Sequence, residues 1–194
     1  MSVLLTIGIP VFNEIRHIES TLKNIFESYA YLENKLEVIV IDNCSTDGTR
    51  EFLELFARKT DKNFKLILNS KNKGLNFSCD KLILSASSKY LWIIGGQDKI
   101  IVTRLDNLFI LLESIPTLVI CNAILRDEAT NEVINESIWG GEITSSTFRD
   151  LETFFAKLGG PCQSISCNIF NVSQIKKVLY HNQITHLWGY LERL

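Results

Sequence analysis

Four apolar residues in a row, Val38-Ile39-Val40-Ile41, stop abruptly at Asp42 and open into the polar turn Asn43-Cys44-Ser45-Thr46-Asp47-Gly48. A short β-branched run bounded by turn formers reads as a strand buried on both faces, the pattern of a parallel sheet. After the turn, Phe52, Leu53 and Phe56 fall on one face of a helix. In open α/β sheets, ligands bind just past the carboxyl ends of the strands. Asp42 is thereby a candidate acceptor for hydrogen bonds from a base or ribose. The simpler alternative is that Asp42 and Ser45 only cap the following helix. A cap explains one of the two, but not why an apolar strand ends in a polar cluster.

The same alternation runs through the first two-thirds of the chain. Val3 to Ile9 is a predicted strand ending at Pro10, followed by the loop Pro10-Val11-Phe12-Asn13-Glu14. Ile15, Ile18, Leu22, Ile25, Phe26 and Tyr29 then recur at helical spacing, with Asn13 as the expected N-cap. Leu36 to Ile41 is the second strand, Thr46 to Lys59 a helix and Phe64 to Leu68 the third strand. A basic turn, Asn69 to Gly74, leads into a helix marked by Phe77, Leu82, Ile83 and Ala86. Tyr90 to Ile94 is the fourth strand, stopping at Gly95-Gly96-Gln97-Asp98; Arg104 to Ser114 is helical and Leu118 to Leu125 a further strand. Strands alternating with helices in this way imply βαβ units: an α/β fold whose mainly parallel sheet is flanked by helices. Each strand up to Ile94 ends in a polar cluster. Those ends share one edge, so Phe12, Asn13, Asp42, Asn72 and Asp98 are expected to converge on one cleft.

After Leu125 the character changes. Residues 126–147 hold several acids, Trp139 and Gly140-Gly141, and read as a hairpin or loop beside the cleft. Phe148 to Leu158 is an amphipathic helix broken by Gly159-Gly160-Pro161, Ser164 to Phe170 a short strand or extended piece, and Ser173 to Tyr180 a helix capped by Ser173. The apolar, aromatic end from Thr185 to Glu192 suggests that the natural chain continues or packs on a partner. At 194 residues the chain is expected to form a single domain, with 1–125 as the binding core and 126–194 as a further part of it.

Bulk properties exclude several classes. A net charge of -2 gives no broad attraction to nucleic acid. The five cysteines, Cys44, Cys79, Cys121, Cys162 and Cys167, form no CxxC pair and read as reduced, partly buried thiols of a cytoplasmic protein. There is no signal-peptide pattern and no apolar segment of membrane-spanning length. GxGxxG, GxxxxGK[ST] and GxSxG are all absent, which argues against a dinucleotide-dependent dehydrogenase, a P-loop enzyme and a nucleophile-elbow hydrolase.

Four segments together carry a family resemblance. Thr6-Ile7-Gly8-Ile9-Pro10-Val11-Phe12-Asn13-Glu14 resembles the opening segment of the family 2 glycosyltransferases, and Val38 to Thr49 is similar to their "v-v-D-d-g-S-t-D-g-T". Asn72-Lys73-Gly74 with Ser78 and Asp80 resembles their "N-x-G" segment, and Tyr90 to Asp98 falls where they carry a metal-binding acidic motif after a strand. The last segment is most similar to members with G-D-D-D, a branch associated with deoxysugar transfer to surface polysaccharides.

The resemblance implies a GT-A (Rossmann-like) fold and a nucleotide-sugar donor, with a glycan or lipid-linked acceptor and a contact at the inner face of the membrane. It places Pro10 and Phe12 at the base pocket, Asp42 on the base, Asn13 and Glu14 at the nucleotide loop, and Asn72 and Gly74 beside the ribose and diphosphate. Asp98 would be the metal carboxylate for Mn²⁺ or Mg²⁺. The general base of an inverting displacement would come from the second half, where His186 and Glu192 are the candidates, with Asp150 and Glu152 behind them. Each has a plainer alternative: Phe12 as core, Asn72-Lys73-Gly74 as an ordinary turn, and the four second-half residues as ordinary surface.

One departure matters. Where relatives carry G-D-D-D, this chain has Gly95-Gly96-Gln97-Asp98, so two carboxylates are missing. A single carboxylate holds a hard cation poorly on its own, but can do so together with the donor's phosphate oxygens. Two readings remain: a metal-assisted glycosyltransferase, or a non-catalytic sugar-nucleotide-binding domain. A nucleotidyltransferase wants glycine and a cation after the first strand, and Pro10 to Glu14 has neither.

Overall fold

A computed structural model describes residues 3–28, 35–101, 105–138 and 164–181. In chain order the described elements are β1 (Leu5–Val11), α1 (Ile18–Ser28), β2 (Leu36–Asp42), α2 (Thr49–Lys59), β3 (Phe64–Leu68), α3 (Leu75–Ser85), β4 (Tyr90–Ile93), α4 (Leu105–Glu113), β5 (Leu118–Ile120), β6 (Leu125–Arg126), β7 (Val133–Asn135), β8 (Asn168–Asn171) and α5 (Val172–His181). Six strands form one sheet in the order β3-β2-β1-β4-β8-β5, and β6 and β7 form a separate hairpin. The pairs β1–β2, β1–β4 and β2–β3 are parallel; β8 runs antiparallel to both β4 and β5. The expected mainly parallel α/β sheet is therefore present. A strand from the second half of the chain, β8, is built into it between β4 and β5.

Burial explains the layering. On β2, Val38 and Val40 face a core shared with Ile18, Leu22 and Ile25 of α1, Leu53 of α2, and Leu108 and Leu112 of α4. The alternate residues Ile39 and Ile41 face a second core with Leu82 and Ile83 of α3 and Ile175 of α5. A strand with both faces covered has no polar position to spare, so it reads as an unbroken apolar run. Each such Val, Ile or Leu contributes about 1.5–3 kcal/mol, enough for the central strands to fix the layout. Gly8 admits α3 closely: a Cβ there would lie 3.0 Å from Leu82 and 3.2 Å from Leu91.

Several boundaries differ from expectation. Pro10 does not end the first strand; it pairs with Ile41 inside it. The Gly8 carbonyl accepts from Ile94 N on the β4 side, and Pro10, two residues on, points the same way, past the last β1–β4 pair. Its missing N–H thus removes no ladder bond. Asn13 is not the cap of α1: its φ is 58°, and the first turn closes on the Glu14 carbonyl, which accepts from His17 N and Ile18 N. The second helix begins at Thr49 rather than Thr46. The strand expected over Leu118 to Leu125 stops at Ile120, and Leu125 and Arg126 pair instead with β7. Before β8 the chain makes a single 3-10 turn, Ile165–Cys167. The cap of α5 is Asn171, not Ser173, because Asn171 Oδ1 accepts from Ser173 N and Gln174 N. The helix expected over Phe148 to Leu158 lies outside the described residues, as do Asp150, Glu152, His186 and Glu192.

Cys44, Cys79, Cys121 and Cys167 are not in disulfides. Burial pushes the Cys79 and Cys121 thiols up to about 12. No helix among the described residues is long and apolar enough to cross a membrane.

Candidate functional site

The loops after β1, β2 and β3 are laced together at the carboxyl edge of the sheet. Asn13 N donates to Ser45 Oγ at 2.9 Å, and Thr46 N returns a bond to Asn13 Oδ1 at 2.8 Å. Glu14 N donates to Thr49 Oγ1 at 2.9 Å and Ile15 N to Asp47 Oδ2 at 3.1 Å. These four bonds explain the left-handed backbone of Asn13, a residue type that tolerates positive φ better than most. They also show that Ser45 braces the first loop rather than capping α2, whose Thr49 N is met by Asp47 Oδ1 at 3.0 Å. Burial would raise the Asp47 carboxyl, but the bonds from Thr49 and Ile15 together outweigh it and hold the carboxyl below its usual range.

Asp42 sits at the end of β2 as expected, but its carboxylate does not face the open cleft. It has no exposed surface. Oδ2 accepts from Arg50 Nε at 2.9 Å, and Ser45 N lies 3.2 and 3.3 Å from the two oxygens. A buried carboxylate without a partner is costly, and here the turn folds back to supply one. Asp42 is thus the buried anchor of its loop, and it does not cap α2 either.

Arg50 also donates through Nη2 to the Asn69 carbonyl at 2.5 Å, which ties the ends of β2 and β3. Beside it lies a cluster of amides. Asn43 Oδ1 accepts from Asn69 Nδ2 at 3.1 Å and from Lys73 N at 3.0 Å, while Asn43 Nδ2 donates to Asn72 Oδ1 at 2.7 Å. Asn72 Oδ1 also accepts from Gly74 N at 2.9 Å, and Lys81 Nζ donates to Asn69 Oδ1 at 2.8 Å. Asn72-Lys73-Gly74 is therefore a turn fixed from outside by Asn43. Gly74 enters α3 with φ 82°, where a side chain would be strained.

Phe12 is 45% exposed, so it is not core. Pro10 is half-buried in the strand. On the β4 side, Asp98 Oδ2 accepts from Gly95 N at 2.6 Å and from Ser166 Oγ. Gly96 is wedged against the first loop: a Cβ there would lie 3.0 Å from Glu14 Cγ and 3.2 Å from Val11 Cγ1. Between these segments opens a cleft of about 520 Å³, lined by Asn13, Glu14, Arg16, His17, Asp47, Gln97 and Glu128 among others. His17 Nε2 meets Glu128 Oε1 at 3.2 Å across it. Burial raises the Glu14 carboxyl above its ordinary value; Asp47, Glu128 and Asp98 push the same way and His17 opposes them. The expected convergence is thus onto one edge rather than into one cavity. Asn13 and Glu14 line the cleft; Phe12, Asp42, Asn72, Gly74 and Asp98 are not among its lining residues.

The sequence profile of glycosyl transferase family 2 matches residues 6–179. The chain belongs to that family. It is 27% identical over 96 residues to the putative teichuronic acid biosynthesis glycosyltransferase TuaG of Bacillus subtilis, covering 50% of this chain and 36% of that protein. It is 28% identical over 121 residues to the abequosyltransferase RfbV of Salmonella typhimurium, covering 61% and 35%. The matched part thus spans about a third of these curated relatives. Among solved structures, S. aureus TarS 1-349 superposes with a TM-score of 0.67 at 17% identity, over 91% of this chain and 49% of that one. The mannosyltransferase PcManGT of Pyrobaculum calidifontis, in complex with GDP-Man and Mn²⁺, gives 0.63 at 18%, over 92% and 47%. The fold is GT-A.

Among the described residues, no group of three or more His, Cys, Asp or Glu side chains is arranged to hold a metal ion. The Gly95–Asp98 turn offers Asp98, with Oδ2 already engaged, and the exposed Gln97. That donor set fits a hard cation only if further oxygens come with the ligand. Asn43, Arg50, Asn69 and Ser166 were not expected in the site. Asn43 was within reach, being in the same motif as Asp42; nothing in the sequence pointed to the other three.

Proposed function

We propose that the chain transfers a sugar from a nucleoside-diphosphate sugar to a glycan or lipid-linked acceptor in surface polysaccharide synthesis, with inversion at the anomeric carbon. One observation carries the reading. In a family 2 chain, the loops after β1, β2 and β3 are cross-braced at the carboxyl edge of the sheet, with an exposed aromatic, Phe12, at that edge. The names of TuaG and the abequosyltransferase support the surface-glycan setting, and PcManGT with GDP-Man and Mn²⁺ supports the donor class.

In this reading the Phe12 ring takes the base on its face, with Pro10 behind it and the buried Asp42 holding the floor. Asn13 keeps the first loop in register, and Asn72 and Gly74 present the turn beside the ribose. Glu14 and Asp98 face the diphosphate side. A divalent cation, bound by Asp98 together with diphosphate oxygens, would supply charge neutralisation for the leaving group. The acceptor oxygen forms the new bond to the anomeric carbon as the bond to the diphosphate breaks. The acceptor proton passes to a general base, for which His186 and Glu192 are our candidates.

The single carboxylate of Gly95–Asp98 favours a second reading, a domain that binds the donor without turnover. Hydrolysis and transfer assays with a panel of nucleotide sugars, with and without Mn²⁺, separate the two. Turnover supports the transferase; donor binding without turnover supports the second reading.

A further inference from the structure

We propose that Ser166 is a positioning residue for Asp98: it holds one carboxylate oxygen so that the other is presented to the cation and diphosphate of the donor. The inference rests on the donor site proposed above.

A carboxylate at the end of a turn opened by two glycines has little to stop it rotating. Among the described residues, both hydrogen bonds to the Asp98 carboxylate fall on the same oxygen, Oδ2. Gly95 N belongs to the turn itself and moves with it. Ser166 Oγ comes from 68 residues away and fixes the turn against the rest of the sheet. No described residue donates to Oδ1.

Ser166 is itself firmly held. Its carbonyl accepts from Trp92 Nε1 at 2.8 Å, so the strand that leads to Asp98 also anchors the residue that orients it. Ser166 lies in the 3-10 turn Ile165–Cys167, closed by Cys167 N donating to the Ser164 carbonyl at 3.2 Å. β8 follows directly, with Ile169 paired to Trp92. On its other side, Cys121 N donates to the Cys167 carbonyl at 2.7 Å. A hydroxyl on so fixed a support can set the direction of a carboxylate it bonds. Groups that orient a metal-binding side chain are worth about 10- to 100-fold in metal affinity.

The test is calorimetric titration of UDP and GDP into the native chain, Ser166→Ala and Ser166→Thr, each in Mn²⁺ and in EDTA. Ser166→Ala should cut the affinity gain given by Mn²⁺ by about 10-fold, leave the affinity in EDTA unchanged, and be rescued by Ser166→Thr, which keeps the hydroxyl. An undiminished gain in Ser166→Ala overturns the inference. So does an equal loss with and without Mn²⁺, which would make Ser166 only a brace of the loop. If the native chain binds nucleotide but gains nothing from Mn²⁺, the inference fails while the nucleotide site stands. If it binds neither nucleotide, both fail.

Discussion

Removing the Arg50 guanidinium should cost the fold more than removing any side chain at the open part of the site. Asp42 has no exposed side-chain surface, while Arg50 keeps 28%. Arg50→Met retains the apolar stem but leaves a buried carboxylate with, among the described residues, only the Ser45 N–H, shared at 3.2 and 3.3 Å. It also strips the Asn69 carbonyl of its donor. Breaking a buried pair from one side costs about 3–5 kcal/mol. Partial exposure of Arg50 screens the pair, so the low end applies, about 3 kcal/mol. For a chain of this length that is a fall in Tm of about 6–12 °C. Asp42→Asn should cost about 1–2 kcal/mol, because the guanidinium it strands can still reach water. In the Asp42→Asn background, Arg50→Met should then cost at least 1 kcal/mol less than in the native chain, on the order of the coupling seen between paired groups. Urea unfolding of the four proteins measures all three quantities. A loss below about 1 kcal/mol for Arg50→Met, or the same loss in both backgrounds, would refute the view that Asp42 is a buried charge held by Arg50.

Three further outcomes follow from the site. Phe12→Ala should weaken nucleoside diphosphate binding by about 1–3 kcal/mol, the usual worth of an aromatic–base stack, and leave Tm nearly unchanged because the ring is half exposed; calorimetry and a melting curve check the two halves. Gly96→Ala should destabilise by about 1–3 kcal/mol through overpacking against Glu14 and Val11, measured by urea unfolding, so a carboxylate cannot be restored there unless Glu14 moves. Glu14 carries a raised folded-state carboxyl, so the folded state binds more protons than the unfolded one between the ordinary and the raised value. Stability should therefore fall as pH rises through that window, and Glu14→Gln should remove this part of the pH dependence and raise Tm at neutral pH.

The sheet was legible because its central strands are covered on both faces, which leaves them no choice but continuous apolar runs. Leu36 to Ile41 and Tyr90 to Ile94 each fall within one residue of the observed β2 and β4. Legibility fell where a strand's end is decided by its neighbours. Pro10 stays in β1 because β4 has already stopped pairing, and no local signal carries that. Asn13, Ser45 and Ser173 look like helix caps by residue type, yet two brace loops across 32 residues of sequence and the third yields to Asn171. Asp42 was recognisable as a carboxylate at a strand end. Its inward turn depends on Arg50, eight residues later, and the guanidinium of a helix surface gives no sign in sequence that it will be drawn over a loop. Ser166 lies furthest from any pattern, since it reaches Asp98 only because β8 enters the sheet beside β4.

Crystals grown with UDP or GDP would test the donor site most directly. The base should lie on the face of Phe12, with the diphosphate between Glu14 and Asp98 at the carboxyl edge of the sheet. A nucleotide bound elsewhere, or one whose base leaves Phe12 uncovered, would contradict the proposed function.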